Sequence, residues 1–164
     1  MRAVLLSLIV ISSTSLALES DRSLPINILQ ADRSEWDNQA NEVRYFGNVI
    51  VVQGELRIEA DSLVVRSEDI NGTATVSNII ATGTPAYYRD LLNPNESPME
   101  LWGNTLTYQV SPERILAEGD ARMQKGCNQQ QSPTIEYDGE NQKLITGKVS
   151  GSVLPGLADG TDCE

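Results

Sequence analysis

Residues 46–65, F-G-N-V-I-V-V-Q-G-E-L-R-I-E-A-D-S-L-V-V, decide the fold. Residues 49–52 form a continuous β-branched apolar run, which is typical of a strand buried on both faces. From Leu56 onward, apolar or small side chains alternate strictly with charged ones. Because a period of two residues cannot present one apolar face on a helix, this stretch predicts a half-buried β-strand. The face predicted to point inward comprises Leu56, Ile58, Ala60, Ser62 and Val64.

Two short motifs from this stretch recur along the chain. A glycine followed by small or polar residues occurs at Gly47, Gly83 and Gly119, so that successive glycines are 36 residues apart. A fixed period of this length predicts stacked β-units that bury their apolar faces on one another. Chance repetition in a glycine-rich strand protein is the alternative. The second motif, an apolar residue followed three positions later by Asp or Asn, occurs at residues 29–32, 58–61, 101–104 and, more faintly, 135–138.

The rest of the chain alternates in short segments separated by turn residues. Leu106, Tyr108 and Val110 share one face of a predicted strand, and Asn71-Gly72 is typical of a tight hairpin turn. No segment keeps a helical apolar period beyond one turn. The sequence therefore predicts an all-β fold of many strands, each about four to six residues long.

The N-terminus predicts a cleavable signal peptide at residues 1–17. Arg2 is a minimal basic region, residues 3–11 are apolar, and the residues up to Ala17 are small or polar, as cleavage sites require. The apolar stretch is too short to span a bilayer, so a permanent membrane anchor is the weaker interpretation. We therefore expect an exported protein, cleaved near Ala17.

The remaining chain predicts one domain at residues 18–155, followed by a flexible tail at residues 156–164, where the content of Gly, Pro and Asp rises. The formal net charge of −11 opposes contact with a phosphate backbone, so no nucleic-acid partner is expected. An anionic amphiphile would have to be held mainly through its apolar part.

The inventory of reactive residues argues against catalysis. The chain has no histidine, which excludes a histidine base, a Ser-His-Asp triad and an imidazole metal site. A carboxylate pair of a carbohydrate-active enzyme is the catalytic alternative. However, Glu59 and Asp61 occupy the predicted outer face of their strand. Trp36 and Trp102 suit either sugar stacking or, with more weight, the closed end of a β-core. No enzyme, cofactor or metal is expected.

Cys127 and Cys163 are the only cysteines. In an oxidising compartment an even pair predicts one disulfide, which would tie the C-terminal tail to the domain. Closing a loop of this length stabilises the fold by roughly 4 kcal/mol in the chain-entropy account. Two independent free thiols are the alternative.

The central stretch resembles the OstA-like family of periplasmic lipopolysaccharide-transport proteins. The resemblance covers roughly residues 24–155, and it is most specific in the central stretch. Residues 127–133 and the two cysteines depart from the family pattern. The matching segments are residues 46–54, 58–61 and 64–65, with supporting matches at 25–28, 83–86, 106–108, 119–121 and 148–155.

The resemblance implies a β-jellyroll of about 14–16 short antiparallel strands, open at both ends. Its apolar groove would hold the acyl chains of lipopolysaccharide, with the sugar outside. It further implies a periplasmic location, end-to-end self-association, an LptC-like inner-membrane partner at the N-terminal edge and an LptD-like outer-membrane partner at the C-terminal edge, residues 143–154. An LptC-like member of the same pathway and a periplasmic scaffold with a filled core and no bound lipid are the alternatives.

Position within the matched segments also implies particular lipid contacts. Ile26 and Ile28 match the entry strand of the family, and Tyr88, Tyr108 and Val110 match lining positions farther along the groove. Alternation alone adds five further expected lining residues, which are Val51, Ile58, Val64, Ile115 and Ile135.

Overall fold

The computed structural model describes residues 23–152, and almost all of this part of the chain is extended. The predicted signal peptide, the predicted tail at residues 156–164 and Cys163 lie outside the described residues. No described helix is long and apolar enough to cross a membrane. The ten strands are β1 (Asn27–Gln30), β2 (Arg33–Asp37), β3 (Glu42–Gln53), β4 (Leu56–Ile70), β5 (Thr73–Asp90), β6 (Met99–Gln109), β7 (Arg114–Lys125), β8 (Asn128–Asp138), β9 (Lys143–Thr146) and β10 (Ser150–Ser152).

All ten strands belong to one antiparallel sheet. From β3 to β8, each strand pairs with the next one along the chain. β1 and β2 both pair with β3 at one edge, and β9 and β10 both pair with β8 at the other edge. Within residues 23–152 no strand of the first edge pairs with a strand of the second. The predicted all-β fold with an open sheet is therefore confirmed.

The six long strands, β3 to β8, change register at one common level of the sheet. We call this line of register shifts the spine. An extra residue in one strand of an antiparallel pair bends that strand, so a line of such shifts bends the whole sheet. The shifts fall between Phe46 and Val49, Glu59 and Ser62, Thr82 and Ala86, Trp102 and Thr105, and Glu118 and Ala121.

The spine divides the sheet into two half-sheets that fold toward each other. Because the same strands run through both, side chains from both halves contribute to one buried apolar cluster. Half-sheet A contains β1, β10 and residues 49–60, 86–103 and 121–132. Half-sheet B contains β2, β9 and residues 42–46, 62–82, 105–118 and 134–138.

The number of strands differs from the expected 14–16. Residues 23–152 form ten, because several strands run unbroken for far longer than six residues: β4 has 15 residues and β5 has 18. The sequence has small and turn-forming residues at the bends. Such residues are also typical of a turn between two separate strands, so each bend is easily taken for the end of a strand. Hydrogen bonding resumes on both sides of a bulge, however, so the strand continues. Splitting the six long strands at the spine would give sixteen short segments.

Two of the three repeated glycines form equivalent bends on the spine. Gly47 and Gly119 both have φ of +77°, a left-handed conformation that glycine adopts without strain. Each lies against the polar residue of the second motif: Gly47 against Asp32, and Gly119 against Asn104. A Cβ atom at Gly119 would lie 2.6 Å from Nδ2 of Asn104. The two motifs of the sequence are therefore packed on each other at the bend.

The third repeat bends in another way. Gly83 precedes a cis peptide bond between Thr84 and Pro85. The Thr84 hydroxyl donates a hydrogen bond to Asp61 Oδ2 at 3.2 Å. Gly83 therefore occupies the same level of the sheet as Gly47 and Gly119, and the period of 36 residues marks where the strands bend.

Candidate functional site

The candidate site is the apolar groove between the half-sheets. Tyr88 of half-sheet A and Tyr108 of half-sheet B meet across it, with ring centroids 6.3 Å apart. Both side chains are 1% exposed, and the Tyr88 hydroxyl donates to Asp90 Oδ2 at 3.1 Å. At this level the two rings fill the space between the half-sheets.

Nine of the ten residues expected to line a lipid groove lie in or against this interior. Three of them, Ile26, Ile28 and Val110, are half-buried and pack against the core. The structure thus brings residues from both ends of the sequence to one continuous apolar surface. The six that are fully buried are Val51, Ile58, Tyr88, Tyr108, Ile115 and Ile135.

The inward placement of Val64 is wrong. β4 shifts register between Glu59 and Ser62, so the alternation changes phase at the spine. Leu63 is 1% exposed in the core, whereas Val64 is half-buried and lies outside the core cluster. A bulge shifts the inward and outward alternation of side chains by one residue. Alternation that is counted straight through a bulge therefore assigns every later residue of the strand to the wrong face.

Several interior residues were missed by sequence reasoning. Leu63 and Ile79 each lie next to a register shift, so simple alternation does not indicate which face of the sheet they occupy. Met99 and Leu101 directly follow a polar loop. The alternation in Met-Glu-Leu-Trp would have indicated that these two residues face the interior. Met123 lies two residues beyond Ala121, where pairing resumes after the bend of β7 and the same alternation restarts.

The groove opens opposite the spine into a cavity of about 700 Å³, which we call the seam cavity. Half-sheet A contributes the loop at residues 91–98 together with Met99 and Met123. Half-sheet B contributes Tyr137 and Leu144. The two methionines also belong to the core, so the cavity continues the apolar interior. Its volume falls in the range of small-molecule pockets, and methionine adapts to ligands of irregular shape.

The rim of the seam cavity is charged. Lys125 Nζ lies 2.5 Å from Glu96 Oε2, and Asn93 donates to Glu96 Oε1 at 3.1 Å. The Lys125 ammonium holds the pKa of Glu96 below its ordinary value. Burial raises the pKa of Tyr137, and the nearby Glu113 carboxylate adds to this effect. An apolar floor with a charged rim suits an amphiphilic ligand.

The two carboxylates considered for catalysis, Glu59 and Asp61, both contact neighbouring side chains, Glu59 an arginine and Asp61 the hydroxyl of Thr84. No group of three His, Cys, Asp or Glu residues within 23–152 could hold a metal ion. Glu59 is engaged by Arg57 at 2.6 Å. The placement of the tryptophans in the core is wrong: Trp36 is 73% exposed on β2, and Trp102 lies half-buried on the outer face of half-sheet A.

Both edges of the sheet carry exposed apolar side chains. Leu29 and Trp36 are 61% and 73% exposed at the N-terminal edge. Ile145 on β9 and Val149 beside β10 are 43% and 50% exposed at the C-terminal edge. Unpaired edge strands are templates for strand addition by a partner. Cys127 lies in the turn between β7 and β8, and its pairing with Cys163 stays a prediction.

Comparison with known proteins gives a consistent result. Residues 28–143 match a family described as "LptA/(LptD N-terminal domain) LPS transport protein". The chain is 32% identical to the lipopolysaccharide export system protein LptH of Pseudomonas aeruginosa, over 86% of this chain and 78% of that protein. It is 30% identical to the lipopolysaccharide export system protein LptA of Escherichia coli K12, over 84% of this chain and 72% of that protein.

The fold has a counterpart among solved structures. The crystal structure of LptH from Pseudomonas aeruginosa, described as the LptA homologous periplasmic component of the lipopolysaccharide transport device, superposes with a TM-score of 0.75. The sequence identity is 25%, and the match covers 83% of this chain and 99% of that one.

Proposed function

Because the chain belongs to the LptA/(LptD N-terminal domain) family of LPS transport proteins, we propose that it is a periplasmic carrier of lipopolysaccharide. In this role it holds lipid acyl chains in the groove between the half-sheets and bridges the inner-membrane and outer-membrane parts of the export system. It acts by binding and passing on the lipid, with no catalytic step.

The observation that carries the proposal is the apolar interior that opens into the seam cavity. Burial of each methylene contributes about 0.8 kcal/mol, so one acyl chain supplies several kcal/mol. This apolar contribution requires no basic site, which fits a chain with a formal charge of −11. The charged rim at Lys125 and Glu96 lies where a lipid head group would leave the groove.

The open edges support the proposed bridge. Strand addition at β1 and β2 would join an LptC-like inner-membrane protein, and strand addition at β9 and β10 would join an LptD-like outer-membrane protein. The same two edges, used between copies of this chain, would give end-to-end self-association. A head-to-tail contact of this kind does not close on itself, so it can extend in a line.

Photo-crosslinking to lipopolysaccharide tests the carrier. A photoreactive side chain is placed at Met123 in the seam cavity, at Tyr108 in the groove, and at Thr107, whose side chain lies on the other face of the same strand. We expect lipid adducts at Met123 and Tyr108 and none at Thr107. Folded protein without an adduct at either inward position would contradict the proposal.

A periplasmic scaffold that binds protein but no lipid is the second candidate. One observation favours it: the rings of Tyr88 and Tyr108 fill the groove midway along its length. A filled groove would give no lipid adduct at Tyr108, while the edges would still recruit partners. The crosslinking experiment therefore separates the two functions.

A further inference from the structure

The outer face of half-sheet A carries two adjacent rows of side chains. Alternation places these residues on the opposite face from the buried Ile58, Tyr88 and Leu101. We call the seven residues of the two rows the outer platform. The strand register sets Glu59, Tyr87, Trp102 and Arg122 side by side in one row, and Arg57, Arg89 and Glu100 in the next.

Aromatic rings form the centre of the outer platform. The ring centroids of Tyr87 and Trp102 are 5.4 Å apart, and the guanidinium carbon of Arg122 lies 5.3 Å from the Trp102 ring. Aromatic rings pack on the apolar C–H faces of sugars, and guanidinium groups bind phosphate or carboxylate with paired hydrogen bonds. This combination of side chains suits a negatively charged saccharide.

Arg89 lies between a like and an opposite charge. Arg57 is directly opposite it on β4, where a like charge is destabilising, and Glu100 is directly opposite it on β6, where an opposite charge is favourable. Glu59 binds Arg57, and Glu100 accepts the hydrogen bond of the Tyr87 hydroxyl. Among the described residues no carboxylate forms an ion pair with Arg89. An anion bound beside Arg89 would relieve the repulsion.

The outer platform also lies close to the mouth of the groove. Arg89 immediately precedes the buried Asp90 and the loop at residues 91–98, which rims the seam cavity. Because neighbouring residues of a strand point to opposite faces, residue 88 faces the groove while residue 89 faces the platform. A ligand that leaves the cavity over this loop therefore meets the end of the strand that carries Arg89.

We propose that the outer platform binds the acidic saccharide of lipopolysaccharide while the groove holds the acyl chains. The inference rests on the proposed function, and it assigns to this chain a second contact with the same ligand. Tyr87 and Trp102 form the surface on which a sugar ring packs, and Arg89 and Arg122 bind its phosphate or carboxylate groups.

The test uses the delipidated oligosaccharide of lipopolysaccharide, titrated into the mature protein by calorimetry or NMR. We expect Arg89→Gln and Trp102→Ala each to weaken binding by about tenfold or more, as loss of a charge-assisted contact implies. Trp102→Phe, which keeps an aromatic ring, should bind better than Trp102→Ala. Arg33→Gln is the matched control, because Arg33 also lies over a ring, that of Phe46 at 4.5 Å, but on half-sheet B; it should bind as wild type.

A second readout separates binding from structural support. Arg89→Gln removes both the repulsion from Arg57 and the attraction to Glu100, so its melting temperature should stay close to that of the wild type. A residue that only stabilises the sheet would instead lower the melting temperature and leave saccharide binding unchanged, which would overturn the proposal.

Further outcomes distinguish this proposal from the carrier function. If intact lipopolysaccharide binds and the delipidated oligosaccharide does not, the saccharide site is overturned and the carrier stands. If neither binds to folded protein, the carrier function fails as well. If inorganic phosphate or sulfated dextran competes as strongly as the oligosaccharide, the platform is a general anion surface and the saccharide proposal is wrong.

Discussion

Tyr88 and Tyr108 determine how wide the groove is, because they are the largest fully buried side chains and come from opposite half-sheets. A lipid chain that passes this level has to displace a ring. Removing one ring would create a void that an acyl chain can occupy but water fills poorly. If the groove holds lipid as proposed, the same two residues affect both the stability of the fold and the space available for an acyl chain.

The substitution Tyr108→Ala tests this link. We expect it to lower the free energy of unfolding by about 3–5 kcal/mol, as for other large-to-small core changes. A carrier should keep or increase its affinity for lipopolysaccharide, since the void adds apolar space. Thr107→Ala, on the opposite face, should cost less than about 1 kcal/mol. Denaturant unfolding and a lipid-binding assay on both variants check the prediction; a loss of lipid binding in Tyr108→Ala would contradict it.

The phase change in β4 makes a second prediction about single residues. Leu63→Ala should cost about 2–4 kcal/mol because Leu63 is fully buried, whereas Val64→Ala should cost about 1 kcal/mol or less. Urea unfolding of both variants measures the difference. Equal costs, or a larger cost at Val64, would mean that the alternation passes through the spine unchanged.

The ion pair at the seam makes stability depend on pH. Lys125 lowers the folded-state pKa of Glu96, so the pair stabilises the fold above the unfolded-state pKa and stops doing so as the pH falls through the folded value. Glu96→Gln should therefore cost up to about 1 kcal/mol at neutral pH and nothing at strongly acidic pH. Glu118→Gln serves as control, since Glu118 has no ion pair within the described residues. Unfolding curves at both pH values measure the cost of Glu96→Gln. An equal cost in acid and at neutral pH would contradict the predicted role of the ion pair.

At the scale of elements, the spine is what converts one sheet into two facing walls. In β3 and β7 the bend is formed by a left-handed glycine packed on Asp or Asn, and in β5 it lies at a cis proline. Since all the bends lie at one level, they act together in shaping the groove. A substitution that disturbs one bend should therefore disturb the side-chain packing of both half-sheets.

Gly119→Ala tests the bend against a matched glycine. Gly119 and Gly72 have φ of +77° and +81°, so alanine at either position costs about 1 kcal/mol in backbone strain. Only at Gly119 would the new Cβ meet another side chain, that of Asn104. We expect a total cost of about 2–3 kcal/mol for Gly119→Ala and about 1 kcal/mol for Gly72→Ala. Thermal or chemical unfolding measures both costs. Equal losses of unfolding free energy would show that the Asn104 side chain moves aside without a cost in stability.

Local sequence patterns allowed most of the strands and turns to be predicted. The features of the strands that could not be predicted all result from the bends. Asn71-Gly72 forms the predicted hairpin turn, with φ of 55° and 81° at the two residues. The period of 36 residues was interpreted as a series of stacked β-units, whereas in the structure it marks bends in β3, β5 and β7. The sequence does not distinguish a bulge within a strand from a turn between two strands. For that reason the strand number and the face of Val64 were wrong, while Tyr108 and Val110, which lie on one side of a bend, were placed in or against the core.

The seam cavity and the outer platform were beyond sequence reasoning. The cavity joins Leu92 to Tyr137 and Leu144, which approach only because the half-sheets face each other. The platform depends on the register that sets Arg57 beside Arg89. Alternation assigns a face to each residue, but it does not identify the neighbour on the next strand.

For the whole molecule, the decisive property is that, among residues 23–152, both edges of the sheet lack a further paired strand and carry exposed apolar side chains. Edge strands of monomeric proteins are usually protected by charge, bulges or coverage. Here Trp36 projects from the N-terminal edge, and Ile145 projects from the C-terminal edge. These exposed side chains lie where the proposed neighbours would dock.

Trp36→Ala tests this arrangement. Because Trp36 is 73% exposed, the substitution should change the free energy of unfolding by less than about 0.5 kcal/mol. It should weaken self-association severalfold in analytical ultracentrifugation. Ile70→Ala is the control, since Ile70 is 52% exposed but belongs to the hairpin of β4 and β5, away from either edge. Unchanged association of Trp36→Ala would exclude this edge as the contact.

The shared level of the bends has a mechanical consequence. Because β3 to β8 each run through both walls without a break, the walls cannot slide past each other, and the simplest large motion open to them is rotation about the spine as a hinge. Such a hinge gives the groove one shared opening angle along its length. If a partner held the walls apart at one edge, the passage would widen toward the other edge as well, and the docking of a neighbour at one end would change the aperture at the far end.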